Sequence, residues 1–434
     1  MTPRRQLLSL LASAEFARAY TLTALTAAFL SFVIARLMSP VTLATIISAL
    51  SIIGLAMLLA RRDELSLLRL APTSLLGFIA LGLVSVVWSE NRWDTLTGWF
   101  TLFGYAIIAI TIGHVRDTLQ TVRAIGDTLR WLLTISLGIE ILSGVLLDTP
   151  FAILGIEGNL AVGGPIQGLF GTRNMLGFIA VLALITFVIE WRTQSITHVV
   201  GVLSVSLGVF LALFSASPTV LVLAAAVGVA TSALTIVRHA RPARRLTVQW
   251  VLGAMVAIAL AVALALRHQI IRLLDAGSDF STRADLWNVI LDFVAQQPVT
   301  GYGWFGSWER GEYPFTYINF LLSDHHRSAL NAYFDILLQV GWIGLVLFLV
   351  MGGVAIVRSW LMASVRHSVV YAWTPLVLIT LAVESMFESF AVTGAGWLLL
   401  VLCVLRAGQS RSWRENIDAA QTGAIPTLRP ENGR

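Results

Sequence analysis

Long apolar runs alternate with short polar breaks along almost the whole chain. Twelve runs of the length a helix needs to cross the hydrocarbon core, about 20 residues, centre near positions 28, 50, 79, 106, 138, 182, 205, 227, 258, 345, 376 and 397. The pattern predicts an all-α polytopic membrane protein with about twelve transmembrane helices. The first run follows MTPRRQ without a small-residue cleavage site, so it reads as an anchor rather than a removed leader. Two polar breaks are long. Residues 148–172 are Gly-rich, and residues 267–328 form the largest stretch outside the spans. The expected organisation is a membrane domain over residues 1–408 and a polar, disordered tail over 409–434.

Arginine placement gives this pattern an orientation, because short cytoplasmic loops are enriched in basic residues. With the N-terminus inside, the inner segments hold Arg4 and Arg5, then Arg61, Arg62 and Arg69, then Arg116, Arg123 and Arg130. Arg192, the group Arg238, Arg241, Arg244 and Arg245, Arg358 with Arg366, and Arg406, Arg411 and Arg414 follow. A smaller set falls outside: Arg36, Arg92, Arg173, Arg267, Arg272, Arg283, Arg310 and Arg327. Both termini are then cytoplasmic, residues 267–328 form an extracytoplasmic loop, and the expected location is the cytoplasmic (inner) membrane.

Composition agrees with a chain in a bilayer: of 434 residues 57% are hydrophobic and 12% charged, and the mean hydropathy is +0.82. The net charge of +5 does not point to nucleic acid, since the arginines lie in short clusters between apolar spans. Cys403 is the only cysteine, which excludes a disulfide framework and a thiolate metal site.

Inside the large loop, STRADLWNVILDFVAQQPV predicts an amphipathic helix. Thr282 is the expected N-cap with Asp285 three residues on, Leu286, Val289, Ile290, Phe293 and Val294 form one stripe, and Pro298 ends it. About four turns are too short to span, so the helix belongs on the membrane surface or against the bundle. Arg283 then falls in the first turn, against the positive end of the macrodipole. Two readings are open: the helix end and guanidinium together bind an anion, or Asp285 neutralises Arg283. The following GYGWFGSW, with Tyr302, Trp304, Phe305 and Trp308, is either a platform for a sugar ring or an interfacial aromatic belt. Glu309 and Glu312 flank Gly311, with nothing to fix them as a paired-carboxylate site.

The loop closes with SDHHRSALNAYFDILLQVGWIGL, residues 323–345. A cap at Ser323 or Asp324 predicts a helix from about 325, with His326, Leu330 and Tyr333 on one face and Arg327 and Asn331 on the next. Consecutive residues diverge by about 100° on a helix, so His325 and His326 are poorly placed to share a metal. A histidine there suits general acid-base work. Asp335 and Gln339 stand one turn apart deeper in the span. A buried carboxylate in a membrane is functional or paired, and for Asp335 both an arginine partner and a direct role are open.

The pattern His326, Ser328, Ala329, Asn331, Ala332, Tyr333, Asp335, Gln339, Gly341, Gly344 resembles the signature of O-antigen ligases and Wzy-type polymerase-like membrane proteins. GLFGTRNMLG (168–177), FSASPT (214–219), TRADLW (282–287), PVTGYGWF (298–305) and VVWSENRWDTL (86–96) resemble further family motifs in the expected order, together covering most of the chain from about 75 to 350. The resemblance implies an integral-membrane glycosyltransferase that works without metal or cofactor. It would move a glycan from an undecaprenyl diphosphate carrier to an acceptor hydroxyl, on a glycan or lipid, on the outer side of the membrane. Such chemistry serves cell-envelope or exopolysaccharide assembly. It singles out Arg173 and Arg283 to hold and stabilise the diphosphate and His326 to orient or deprotonate the hydroxyl. Asn174, Trp287, Tyr302, Arg327, Asn331 and Asp335 are the accompanying candidate substrate contacts. Two positions depart from the family pattern: Leu330 stands where many relatives carry histidine directly before the asparagine, and Pro218 where arginine often follows the S-x-S motif. A polymerase on the same fold is the nearest alternative. A lipid-linked glycan flippase is a further one, and it would instead line a midplane cavity with charge.

Overall fold

The computed structural model describes residues 3–62, 70–265, 277–308 and 313–409. Among these there is no β-strand beyond an isolated bridge between Phe151 and Ile156. Helices α1 (Pro3–Leu11), α2 (Ala14–Phe29), α3 (Ser31–Leu37), α4 (Pro40–Ala60), α5 (Thr73–Val84), α6 (Arg92–Val115) and α7 (Thr118–Ile141) precede the Gly-rich break. They are followed by α8 (Arg173–Arg192), α9 (His198–Phe214), α10 (Pro218–His239) and α11 (Arg245–Ala265). Helices α12 (Gly277–Gln296) and α13 (Phe315–Leu322) lie within the large loop, before α14 (Ala332–Val365), α15 (Trp373–Glu384) and α16 (Gly394–Gln409). Glu309, Arg310, Glu312, Arg69, Arg267, Arg272 and the tail from 410 onward lie outside the described residues.

Each of the twelve expected centres falls inside a helix. Six helices are long and apolar enough to cross a membrane, namely α4, α6, α7 with its π-helical extension, α8, α10 and α14. The pair α2 and α3, bent by 67°, adds a seventh if it is one span. Helices α5, α9, α15 and α16 are apolar but shorter. Burial explains part of this. Helix α16 is buried on almost every face, from Ala395 through Leu405, and α15 nearly so. A helix ringed by protein meets little lipid and is not held to the hydrocarbon thickness. Helix α8 has the same all-round burial and with these forms the centre of the bundle.

Several arginines assigned to the inner loops tie helix ends together at one end of the bundle. Arg406 donates to the carbonyl of Arg116 at 2.7 Å and to Thr121 Oγ1 at 2.8 Å, and Arg238 donates to the carbonyl of Ala363 at 2.7 Å. Arg130 departs from the loop expectation. It lies well inside α7, where its guanidinium meets Glu190 at 2.7 Å, Asp127 at 2.9 Å and Ser204 at 2.8 Å. The buried carboxylate of Glu190 draws it into the bundle.

Helix α14 is broken at Val340 and Gly341, where Gly341 has φ +65°. The break leaves backbone groups without helical partners, and the segment after Pro298 supplies them. Tyr302 N–H donates to Leu338 O at 3.1 Å, Gly303 N–H to Gln339 O at 2.8 Å, and Trp342 N–H to Pro298 O at 2.9 Å. The contact is backbone to backbone: a Cβ on Gly341 would overlap the Val299 carbonyl. Gln339 clamps the same turn, its Oε1 accepting from Phe305 and Gly306 N–H at 2.8 Å each. From the other side Ser85 Oγ accepts from Trp304 N–H at 2.9 Å, and Trp88 donates to Thr300 O at 3.2 Å. PVTGYGWF, the W-S element and Q-x-G-x-x-G are therefore one architectural joint.

Candidate functional site

Two helix starts differ from expectation. Helix α12 begins by Gly277, not at Thr282, so Arg283 stands in its second turn, beyond the strongest reach of the helix terminus. Its apolar stripe packs as expected: Leu286, Ile290, Phe293 and Val294 are buried and the helix lies against the bundle. Helix α14 begins at Ala332 rather than near 325. Leu330 adopts φ +50°, which breaks any helix there, and Asn331 supplies the cap, its Oδ1 accepting from Tyr333 N–H at 3.0 Å and Phe334 N–H at 3.2 Å. His326 therefore lies in a loop.

At the end of the bundle bearing the N-termini of α8, α10 and α14, three elements converge on one carboxylate. Glu388, just past the C-terminal end of α15, accepts from Asn174 Nδ2 at 2.7 Å and Arg283 Nη2 at 3.2 Å. The Arg283 guanidinium also donates to Leu330 O at 3.0 Å and to Phe387 O. Asn174 is held in turn by Ser217, whose hydroxyl donates to Asn174 Oδ1 at 2.7 Å and pairs with Thr219 at 2.8 Å. Arg283 and Glu388 keep only 16% and 9% side-chain exposure, so their charge-assisted bonds act where water screens them weakly.

Local sequence sets up this convergence. Thr172 caps α8, accepting from Met175 N–H at 3.1 Å, which starts the helix at Arg173 and Asn174. The chain before it is pinned to α7 by buried Glu140, which accepts from Gln167 and Gly168 N–H at 3.1 and 2.8 Å. Pro218 takes the first position of α10, where its missing N–H costs nothing, and leaves Ser217 free to reach Asn174.

His326 completes this end of the molecule. Its side chain is largely buried, Nε2 lies 3.3 Å from Asp324 Oδ2, and its backbone is gripped by Asn319 through two bonds of 3.0 Å. Burial lowers its pKa; Asp324 works against this, and the positive charge of Arg283 adds to it. Trp287 donates to Ala329 O at 2.9 Å and stacks on Phe334. Arg173 is half-buried in the first turn of α8.

The other candidates are placed elsewhere. Tyr302 is 5% exposed, donates to Phe293 O at 3.1 Å and packs against Tyr313, which makes it part of the joint below the site. Arg327 is exposed. Among the described residues Asp335 has no arginine partner. Fully buried, it accepts from Trp308 Nε1 at 2.7 Å, Ala329 N–H at 3.1 Å, Gln339 Nε2 at 3.4 Å and the Ser389 hydroxyl. Asn331, Tyr302 and Asp335 thus spend their polar atoms on architecture.

Residues 203–349 match the family model for O-antigen ligase. This stretch of the chain is similar to the O-antigen ligase family. No curated protein matches the chain. The O-antigen ligase match holds Ser217, Arg283, Trp287, His326 and the broken helix up to residue 349. Asn174 and Glu388 lie outside it and complete the same cluster, and Arg173 lies outside it as well. Sequence reading missed Glu388 and its neighbour Glu384, although AVESMFESF closes an apolar run with two carboxylates one turn apart. The rule applied to Asp335, that an acid at membrane depth needs a reason, would have found them.

A crevice of about 160 Å³ opens beside the cluster, between α14, α15 and α16. It runs from Tyr333, Ala382 and Ser385 to Gly352, Gly353 and Ile356 and is almost wholly apolar.

Proposed function

We propose that the protein transfers a glycan from an undecaprenyl diphosphate carrier to an acceptor hydroxyl on the outer side of the cytoplasmic membrane. The observation that carries this reading is the meeting of Arg283 and Asn174, the latter held by Ser217, on one anion position, with His326 close enough to feel the Arg283 charge. In the reaction the acceptor oxygen bonds to the anomeric carbon, the bond from that carbon to the diphosphate oxygen breaks, and its electron pair leaves with the diphosphate. Arg283 and Arg173 stabilise the charge that grows on the leaving group, and this favours the transition state over the bound substrate. His326 accepts the hydroxyl proton. Its lowered pKa keeps it neutral near pH 7, and Asp324 at Nε2 leaves Nδ1 as the basic atom. The apolar crevice suits a section of the prenyl chain.

The test is reconstitution in liposomes with a prenyl-diphosphate-linked glycan and candidate acceptors. Arg283→Ala should lower transfer by about 10²-fold or more and His326→Ala by about 10²-fold. Transfer at the wild-type rate by both variants overturns the reading.

A further inference from the structure

Arg283 and Asn174 are the donors that the proposed reaction assigns to a phosphate oxygen, and both already hold one acceptor, Glu388 Oε1. A diphosphate cannot take the same donors while that carboxylate stays between them, because like charges in a poorly screened site repel strongly. One turn earlier, Glu384 is fully buried and neither of its carboxylate oxygens has a hydrogen-bond partner. The end of α15 therefore already carries one carboxyl group without a hydrogen-bond donor.

We propose that Glu388 is the resident counter-anion of this site, displaced from Arg283 and Asn174 when a substrate phosphate binds. This inference rests on the proposed function and adds to it a residue that positions the guanidinium and amide before substrate arrives and gives way afterwards. Of the charged groups, Arg283 from α12 bonds Glu388 directly and Glu384 of α15 lies near enough to repel it; Tyr333 of α14 is bonded to the Ala382 carbonyl. Arg283 is the cation that Glu388 touches, and losing it leaves the carboxylate without a countercharge.

The test is calorimetric titration of the detergent-solubilised full chain with farnesyl diphosphate. Glu388→Gln keeps an oxygen for both donors but removes the competing charge, so binding should tighten by about tenfold. A residue that served only as scaffold would bind the probe more weakly after either change. Glu388→Asp, one methylene shorter, withdraws the carboxylate from at least one donor and should also bind more tightly than wild type, which carries the test if the Gln variant does not fold. Arg283→Ala separates the two ideas. If it binds farnesyl diphosphate as the wild type does, the proposed function fails; if it loses binding while neither Glu388 variant gains, the displaced counter-anion alone is overturned.

Discussion

Replacing Asp335 separates architecture from chemistry. Its carboxylate takes hydrogen bonds from the Trp308 indole, the Ala329 N–H, the Ser389 hydroxyl and the Gln339 amide while fully buried. The hydroxyl and the amide can turn to other acceptors, whereas the indole and the backbone N–H cannot. Asp335→Ala therefore strands two fixed donors, at about 1–3 kcal/mol each, for a loss of about 2–6 kcal/mol out of a stability of about 5–15 kcal/mol. Asp335→Asn keeps one acceptor oxygen and turns an NH2 group toward donors, so its loss should be smaller. Thermal unfolding of the solubilised protein, followed by intrinsic tryptophan fluorescence, should rank wild type above Asn above Ala, with a fall of roughly 5 °C or more for Ala. Transfer activity should fall only as far as the folded fraction does. If Asp335→Asn unfolds at the wild-type temperature and yet abolishes transfer, the architectural assignment is refuted and the carboxylate acts on substrate.

Gly341→Ala meets both a positive φ and the Val299 carbonyl and should cost about 3 kcal/mol or more, read as a lower midpoint in thermal unfolding. Glu190→Gln keeps an oxygen for the Arg130 guanidinium but removes the charge that faces it at 2.7 Å and should destabilise by about 3 kcal/mol, with Asp127 as the remaining countercharge. For His326 the pKa is lowered in the folded chain, so the unfolded chain binds the proton first as pH falls through about 6.5. Stability is then complete above that value and declines below it; His326→Gln should show a smaller drop in melting temperature between pH 7.5 and 5.5 than the wild type.

Helix positions were legible because apolar period and run length act locally: every expected centre lies in a helix. What runs of 20 residues do not encode is which helices face lipid. Helices α15 and α16 read as ordinary spans, yet protein surrounds them and they are short. The stripe of α12 was legible for the same local reason, but its start was not, because Thr282 and Asp285 fit a cap as well as they fit a helix interior. Asn331, a candidate substrate contact, caps α14, since Leu330 with φ +50° ends the preceding chain where the pattern predicts a continuing helix. Arg283 and Asn174 were identifiable as polar residues beside apolar runs. Their partner was not, because Glu388 is more than 100 residues from Arg283 and over 200 from Asn174 in the chain, and only packing brings them together.

The break in α14 bears on how the protein is made. An unbroken lipid-ready helix would satisfy itself wherever it was inserted; the carbonyls of Leu338 and Gln339 are satisfied by Tyr302 and Gly303 respectively, and the Trp342 N–H by Pro298, all of which leave the ribosome earlier. Left bare in hydrocarbon, each such group costs several kcal/mol. Integration of this helix into the bilayer and its docking onto the preceding segment are therefore a single step, and the nascent loop has to be waiting at the membrane when the helix arrives.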